Sequence, residues 1–223
     1  MSKHTRFLFI LALAAVFSLG TASANVVPIT VNNPSFETLP GGGLNQNGPC
    51  NLTYSVAAIP GWNSTGVSGQ FNPGTPGCVF NSIPDGSIVA ETNGGTISQT
   101  VGVTVVAGNT YTLTVFQGTR LDCCTSGGAT EDLLINGNTY LATGTAPTAG
   151  NWSQYSVTYV GTVADAGQSI TIQLNGTGTQ ADFDDVTLSY VPSAVPEPGY
   201  LALTAGLGGL MVVVRRRSAK QRQ

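Results

Sequence analysis

The segment from residue 110 to residue 115 reads Thr-Tyr-Thr-Leu-Thr-Val, and it decides the fold class. The apolar residues Tyr111, Leu113 and Val115 alternate with three threonines, which is the period of a strand that buries one face. The same alternation returns at residues 154–159, 170–174 and 186–190. These short alternating runs predict antiparallel strands rather than helices.

Turn signals separate the alternating runs. Asn136-Gly137 stands between two apolar runs at residues 133–135 and 139–141, which predicts a two-residue hairpin. We therefore predict one all-β domain, an antiparallel β-sandwich or jelly roll. A β-solenoid is the alternative, but the chain shows no repeat of fixed period. Residues 39–81 are rich in Gly, Pro and Asn, and we expect long loops there around a short strand at residues 54–59.

The first 24 residues have the layout of a secretory signal. Lys3 and Arg6 supply the positive start, residues 7–19 are apolar, and Ala22-Ser23-Ala24 is a small-x-small cleavage site. The sequence therefore predicts a signal peptide at residues 1–24, followed by the β domain at residues 25–194.

The C-terminal segment, residues 195–223, combines three features in order. The triplet Pro196-Glu197-Pro198 precedes an uncharged run at residues 199–214, which ends at Arg215, Arg216 and Arg217. The run is somewhat short for a membrane-spanning helix, and the arginines favour a cytoplasmic end. We expect a short transmembrane helix at residues 199–214.

This tail resembles the PEP-CTERM sorting signal. The resemblance implies an exosortase-type processing enzyme as partner. It also implies an exported protein that is transiently anchored in the inner membrane and ends at the cell surface or in the extracellular matrix.

Charge and histidine content narrow the function of the domain. Residues 25–194 contain one basic residue, Arg120, against ten acidic ones, a formal net charge of −9. A nucleic-acid partner is excluded, because one arginine cannot displace enough phosphate counterions. The only histidine, His4, lies in the signal, so the domain has no imidazole for base, triad or metal chemistry.

Four cysteines, Cys50, Cys78, Cys123 and Cys124, predict disulfides in an exported protein. We expect Cys50 and Cys78 each to pair with one of the adjacent cysteines, because a bond between neighbours strains the intervening peptide. The alternative is a Cys50–Cys78 bond with the adjacent pair bonded or free. A zinc site is not expected, since no C-x-x-C spacing is present.

Residues near the two ends of the domain form an ordered set of motifs. Asn32 to Glu37 opens it and Asp182 to Val186 opens its last strand, with Gly61-Trp62, residues 108–113 and residues 151–155 between them. The set resembles the carbohydrate-binding, galactose-binding-like jelly rolls. That resemblance implies a structural Ca²⁺ held by Glu37 with Asp184 or Asp185, and calcium does prefer several hard oxygen ligands.

The aromatic residues supply the candidates for a sugar-binding surface. Trp62, Tyr54 and Phe71 lie in the loop-rich segment, although the hydrophobic core is the commoner fate of Trp62 and of Trp152. We predict a non-enzymatic surface protein that binds or structures extracellular polysaccharide. A purely structural or adhesive protein is the alternative.

Glycosidase chemistry needs only two carboxyl groups, so a polysaccharide-modifying enzyme is the third hypothesis. Glu37, Glu91 and Glu131 lie at strand edges or beside turns, and no apolar pocket that would raise a pKa is evident around them. We therefore predict no catalytic residues.

Overall fold

The computed structural model describes residues 25–123 and 128–194, and these residues form an all-β structure whose paired strands are all antiparallel. The antiparallel all-β prediction is confirmed. A short 3-10 helix at Pro49–Asn51 interrupts the strands. The strands are β1 (Val27–Ile29), β2 (Gln46–Asn47), β3 (Thr53–Ser55), β4 (Asn63–Asn72), β5 (Val89–Thr104), β6 (Thr110–Gly118), β7 (Ala129–Ile135), β8 (Asn138–Leu141), β9 (Thr143–Gly144), β10 (Trp152–Val160), β11 (Ser169–Gly176) and β12 (Ala181–Val191).

The strands form two layers that share the long strand β5. The front layer has the order β2-β3-β4-β5-β12-β6-β10-β9, with β1 beside β12. The back layer consists of the second half of β5 with β11, β7 and β8. Leu113 and Phe183 of the front layer belong to the same buried cluster as Leu133 and Ile172 of the back layer. The layers therefore face each other across one hydrophobic core.

Glycines mark the place where β4 and β5 pass from one layer to the other. The register of this pair shifts between Thr65 and Val67. A Cβ on Gly66 would lie only 2.8 Å from the Cα of Gly95, so the two backbones approach more closely there than a side chain permits. Bends of this kind allow one strand to contribute to both layers of a sandwich.

The alternation that predicted the strands also predicts their buried faces. Tyr111, Leu113 and Val115 are at most 1% exposed and lie in the core between the layers. The Asn136-Gly137 hairpin is confirmed as well, since β7 ends at Ile135 and pairs there with Asn138. Positive φ angles at both turn residues, 50° and 76°, are those of the tight turn expected for Asn-Gly.

The segment from residue 39 to residue 81 contains more strand than expected. The strand predicted at residues 54–59 is shorter, at Thr53–Ser55, and the sequence pattern does not predict the ten-residue strand β4. Residues 63–67 of β4 are exposed and mostly polar. They therefore lack the apolar alternation from which the other strands were predicted.

The preferred disulfide pairing is wrong. Cys50 and Cys78 are bonded to each other, with their Cα atoms 6.0 Å apart, which is the alternative pairing. The reason lies in the backbone, because Thr75 N donates a 2.9 Å hydrogen bond to Cys50 O and already brings the two turns together. Cys123 is also disulfide-bonded, and Cys124 lies outside the described residues.

The predicted signal at residues 1–24 and the predicted tail at residues 195–223 also lie outside the described residues. Within residues 25–123 and 128–194, no helix is long and apolar enough to cross a membrane.

Candidate functional site

The outer face of the front layer carries a second, smaller apolar cluster. Adjacent residues of a strand point to opposite faces, and Ala90 accordingly joins the main core while Val89 joins this second cluster. Its other buried members are Leu52, Phe71, Val79 and Phe80. The segment around the disulfide therefore covers part of this face with its own small core.

A cavity of about 400 Å³ opens beside this cluster. Its wall is partly apolar, with Tyr54 and Phe71 as cross-strand neighbours on β3 and β4. One end is polar. The lining residues are Asn47, Gly48, Pro49, Leu52, Tyr54, Val56, Phe71, Glu91, Asn93 and Arg120. An apolar cleft with a few convergent polar groups is the usual form of a small-molecule site.

A pair of buried carboxyl groups lies at the polar end. Glu91 of β5 and Asp182 of β12 are directly opposite each other in the register, and they are 8% and 1% exposed. Burial is the main cause that raises the pKa of Glu91. Burial, and then the neighbouring Glu91 charge, raise the pKa of Asp182 to about 8. Asp182 therefore holds its proton near neutral pH, and the shift of Glu91 is in the same direction.

Arg120 supplies the positive charge at this site. Its Nε and Nη2 atoms donate to the two carboxylate oxygens of Asp122, at 2.9 and 2.7 Å. Its Nη1 atom donates to Gln180 Oε1 at 3.1 Å, and the guanidinium lies 5.5 Å from the centre of the Phe71 ring. The arginine is therefore fixed by three neighbours, and its charge lowers the pKa of both buried carboxyl groups.

A cross-strand row extends from the carboxyl pair to β10. Asp182 pairs with Gly118 of β6, and Gly118 pairs with Trp152. A Cβ on Gly118 would lie 2.8 Å from the Trp152 ring, so the indole lies directly on the glycine. Trp152 also packs against Phe80, with 4.6 Å between ring centres, and its Nε1 donates to Ser82 O at 2.9 Å.

A neighbouring cavity of about 310 Å³ lies on the other side of the disulfide-linked segment. It is lined by residues 72–76 and by parts of residues 80–87, and none of its lining residues is titratable. Because Glu91 lines the 400 Å³ cavity, that cavity is the candidate site.

The structure brings together two of the three aromatic residues predicted to form a binding surface. Tyr54 and Phe71 share the cavity wall. Trp62 does not join them, because its indole is only 6% exposed, packs on Phe36 at 5.4 Å and donates to Asn33 O. This burial is the core location that the sequence favoured for Trp62.

The predicted calcium ligands contact one turn of the chain. Glu37 accepts backbone N–H bonds from residues 87 and 88, at 2.7 and 2.6 Å. Asp184 is fully buried and accepts from the backbone N–H of Asp85 and of Asp185, at 3.0 and 2.8 Å. Within the described residues, no group of three or more His, Cys, Asp or Glu side chains is arranged to hold a metal ion.

The sequence alone does not reveal this site. It predicts Glu91 only as a solvent-exposed carboxyl group at a strand edge, and it gives no signal for Gln180. Two signals were present: Arg120 is the single basic residue of the domain, and Asp182 lies in a dense acidic run. The pairing of β5 with β12 brings these residues together, and alternation alone does not reveal which strands are neighbours.

Comparisons with known proteins point to one family. The model of the HpiC1-like family, described as HpiC1 cyclase, matches residues 27–189. The Stig cyclase Fisc from Fischerella sp. TAU, solved with (3Z)-3-(1-methyl-2-pyrrolidinylidene)-3H-indole, is 22% identical with a TM-score of 0.61, over 76% of this chain and all of that one. An apo cyclase from Fischerella sp. is 23% identical with a TM-score of 0.63, over 78% of this chain and all of that one.

A Fischerella sp. TAU cyclase was also solved with 4-(1H-indol-3-yl)butan-2-one, at 22% identity and a TM-score of 0.61, over 76% of this chain and all of that one. A sequence comparison with curated proteins finds no match. The solved structures show that the chain shares the fold of these cyclases.

These findings correct the functional predictions. The domain matches a family of enzymes, so its interpretation as a non-enzymatic protein that binds or structures extracellular polysaccharide is wrong. The predicted family is also wrong. The chain was expected to be a PEP-CTERM exosortase substrate with a galactose-binding-like domain, and its domain instead matches the HpiC1-like cyclase family. The physical reason is plain: a missing histidine excludes only imidazole chemistry, and a buried carboxyl pair supplies an acid without it.

Proposed function

The chain belongs to the HpiC1-like cyclase family, and from that membership we propose that it closes a ring in a small organic substrate bound in the 400 Å³ cavity. The observation that carries this proposal is the buried Glu91–Asp182 pair beside a partly apolar cavity. Of the two carboxyl groups, Glu91 is the one that lines the cavity. Glu91 is therefore our candidate for the acid that contacts the substrate.

The reaction requires no oxidant. Glu91 donates its proton to a carbon or nitrogen atom of the substrate, and a π bond of the same molecule attacks the cation so formed. A proton is then lost as the ring closes, and the carboxylate takes it back. A general acid works best when its pKa lies near the working pH, and burial raises the pKa of Glu91 in the direction that such an acid needs.

The apolar wall suggests the class of substrate. Leu52, Tyr54, Val56 and Phe71 are its apolar and aromatic lining residues. The cyclases of similar fold hold indole compounds, and we propose an indole with an unsaturated side chain as the substrate of this chain. Such a ring system presents a large apolar face and carbon atoms of its indole and alkene groups that an acid can protonate.

Activity of the purified protein toward alkenyl indoles tests this proposal, with ring closure followed by mass spectrometry and NMR. Glu91→Gln keeps the shape of the side chain but removes the proton, and we expect at least a 100-fold lower turnover. The matched control is Glu131→Gln, which changes a buried carboxyl group in the back layer and should retain turnover. Equal activity of Glu91→Gln and the wild type would rule out Glu91 as the acid.

We also propose a structural Ca²⁺ near Asp184. Burial, and then the charges of Asp185 and Asp85, raise the pKa of Asp184 to about 7, and a divalent cation would relieve this repulsion. Glu37 and Asp184 would hold it only by giving up part of their bonds to the turn at residues 85–88. We expect EDTA to lower the melting temperature and added Ca²⁺ to restore it; a melting temperature that EDTA leaves unchanged contradicts this proposal.

We further propose that the protein acts outside the cytoplasm and that its two layers form a jelly roll. The predicted signal at residues 1–24 and the Cys50–Cys78 disulfide support export, since such bonds persist in oxidising compartments. The last strand, β12, lies in the middle of the front layer between β5 and β6, and this strand order supports the jelly roll. Cell fractionation with and without residues 1–24 tests the location.

A further inference from the structure

Arg120 has more hydrogen-bond donors than its neighbours use. A guanidinium carries five N–H groups and no acceptor. The N–H of Nε and one N–H of Nη2 donate to Asp122, and one N–H of Nη1 donates to Gln180 Oε1. One N–H on Nη1 and one on Nη2 therefore have no hydrogen-bond partner within residues 25–123 and 128–194. Proton transfer from Glu91 gives these two donors no role.

The two spare donors belong to a side chain of the cavity wall. Arg120 lines the 400 Å³ cavity, and its side chain is only 11% exposed. The guanidinium lies 5.5 Å from the centre of the Phe71 ring, which lines the same cavity. Solvent competes little at such a place, so a hydrogen bond from a ligand to this group is stronger than at the surface. Its contacts with Asp122 and Gln180 also fix the guanidinium before a ligand arrives.

The other polar side chains of the wall are weaker donors for a ligand. Asn47 is exposed to solvent, and the side chain of Asn93 forms a hydrogen bond with Glu91. Tyr54 is half-buried and offers one uncharged hydroxyl group. A hydrogen bond from a charged donor is about twice as strong as one from an uncharged donor. Arg120 is therefore the group of this wall that a ligand acceptor gains most from meeting.

The charges around the spare donors favour an uncharged acceptor. Asp122 already pairs with Arg120 at 2.7 Å and balances its charge. Glu91 lines the same cavity, and Arg120 is the only basic residue of the domain. A ligand carboxylate would therefore add negative charge where no second cation can balance it, and its removal from water would cost free energy. A carbonyl oxygen accepts the two hydrogen bonds without that cost.

We propose that Arg120 binds an uncharged carbonyl oxygen on the side chain of the substrate through its two spare N–H groups. The inference rests on the proposed function and narrows the substrate to an indole whose side chain carries a carbonyl group, as in a ketone or an amide. Arg120 is a binding residue here and transfers no proton. It holds one end of the substrate, so that the rest of the molecule lies along the cavity wall that Glu91 shares.

Calorimetric binding of three indoles of the same shape tests the inference without turnover. The probes are indole-3-propanamide, the hydrocarbon 3-(3-methylbutyl)indole and indole-3-propanoate. The hydrocarbon gains from its apolar surface, so the informative quantity is the Kd of the amide divided by the Kd of the hydrocarbon, compared between wild type and variant. Arg120→Met removes every guanidinium donor, and we expect this ratio to rise by about tenfold or more. The propanoate should bind the wild type more weakly than the propanamide does.

Gln99→Met is the matched control. It also replaces a polar side chain by methionine, but the Gln99 amide donates to the backbone carbonyls of Asn32 and Gly61, and Gln99 does not line the cavity. The ratio should stay at the wild-type value. Should Arg120→Met fail to fold, Arg120→Lys keeps the charge and the apolar stem. Its single nitrogen cannot reproduce the fork of the guanidinium, so the ratio should rise in this variant as well.

The two proposals fail in different ways. An unchanged ratio in a folded Arg120 variant overturns the role of Arg120, even if the protein closes rings in alkenyl indoles. Tighter binding of the propanoate than of the propanamide, or no binding of the propanamide, overturns it too. A ratio that rises in Tyr54→Phe but not in Arg120→Met assigns the contact to the Tyr54 hydroxyl instead. A ratio that depends on Arg120 in a protein that closes no ring supports the binding role and counts against the proposed function.

Discussion

At the scale of single residues, the site depends on a few side chains that each contact several charged or aromatic partners. Arg120 is the one basic residue between residues 25 and 194, and its charge is divided among Asp122, the carboxyl pair and the Phe71 ring. A lysine could not replace it, because a single ammonium group cannot bind a carboxylate in two-fold fashion and also reach Gln180. Because the other charged residues of the domain are acidic, positive charge is found only at this site, and the net charge of the domain is negative.

Gly118 is a residue at which the addition of a single methyl group should measurably lower the stability of the fold. The Trp152 ring occupies the place of a Cβ, at 2.8 Å, so Gly118→Ala must displace an indole that packs on Phe80. We expect a loss of about 1–3 kcal/mol in the free energy of unfolding, from overpacking. Urea unfolding followed by tryptophan fluorescence measures both the loss and the movement of the ring.

Gly102→Ala is the matched control for this substitution. Gly102 also lies within a strand, yet a Cβ there would have no neighbour within 4 Å. Its effect should remain within about 0.5 kcal/mol. Equal losses in the two variants would mean that contact with Trp152 is not the cause.

At the scale of elements, the disulfide-linked segment determines the shape of the cavity wall. The Cys50–Cys78 bond joins the 3-10 turn at Pro49–Asn51 to the turn before Val79, and the first of these turns borders the cavity. The wall is therefore held by a covalent bond as well as by the small apolar cluster beneath it.

Replacement of both Cys50 and Cys78 by serine should loosen this wall. The bond spans 28 residues, and its loss should lower the free energy of unfolding by about 3 kcal/mol through the entropy of the unfolded chain. We expect KM for the substrate to rise more than kcat falls, because Glu91 and Asp182 are held by strands and not by this segment. Steady-state kinetics and urea unfolding of the double variant are the measurements.

The wild type treated with a reductant provides the comparison. Because Cys123 is also disulfide-bonded, reduction acts on more than one bond, and only the part reproduced by the double variant belongs to Cys50–Cys78. A double variant with wild-type KM would show that the bond stabilises the fold without shaping the cavity.

Sequence and structure agree best where one strand carries its own signal. The alternation of Tyr111, Leu113 and Val115 predicts both their strand and its buried face, and Asn136-Gly137 predicts the hairpin turn. The candidate site could not be predicted in the same way. Gln180 and Glu91 are 89 positions apart and meet only because β12 enters the sheet beside β5. The pairing of distant strands depends on the whole set of competing pairings, which no local period encodes.

At the scale of the whole molecule, buried carboxyl groups make stability depend on pH. Glu131 is 1% exposed, and neither of its carboxylate oxygens has a hydrogen-bond partner among the described residues. Burial, and then the neighbouring Asp132 charge, raise its pKa to about 8. A raised pKa means that the folded protein binds this proton more tightly than the unfolded chain does.

The stability from this proton is fully present below the unfolded pKa of about 4.5 and is lost as the pH rises toward 8. The loss approaches about 1.4 kcal/mol for each pH unit in that window. Glu131→Gln should remove this slope, so urea unfolding at pH 5 and pH 8 should differ less in the variant than in the wild type. Asp182, whose pKa is also raised to about 8, contributes in the same direction and remains in both proteins.

Asp165→Asn serves as a control, because the contribution of Asp165 to stability changes with pH in the opposite direction. Hydrogen bonds from Thr162, Tyr159 and Asn136 lower the pKa of Asp165, so its contribution is present at neutral pH and is lost as the medium becomes acidic. The variant should be less stable than the wild type at pH 7. A wild type as stable at pH 8 as at pH 5 would contradict the role of Glu131.

The position of β12 has a consequence for the order of events during synthesis. This strand is among the last of the domain to leave the ribosome, yet it pairs with β1 at the start of the chain and with β5 and β6 in the middle. The front layer therefore cannot close until Val191 is available, and every earlier fragment exposes the edges that β12 will cover. The pairs β3–β4, β4–β5, β5–β11 and β7–β11 do not involve β12, so the strands that flank β12 in the front layer are the part of the sheet that is completed last.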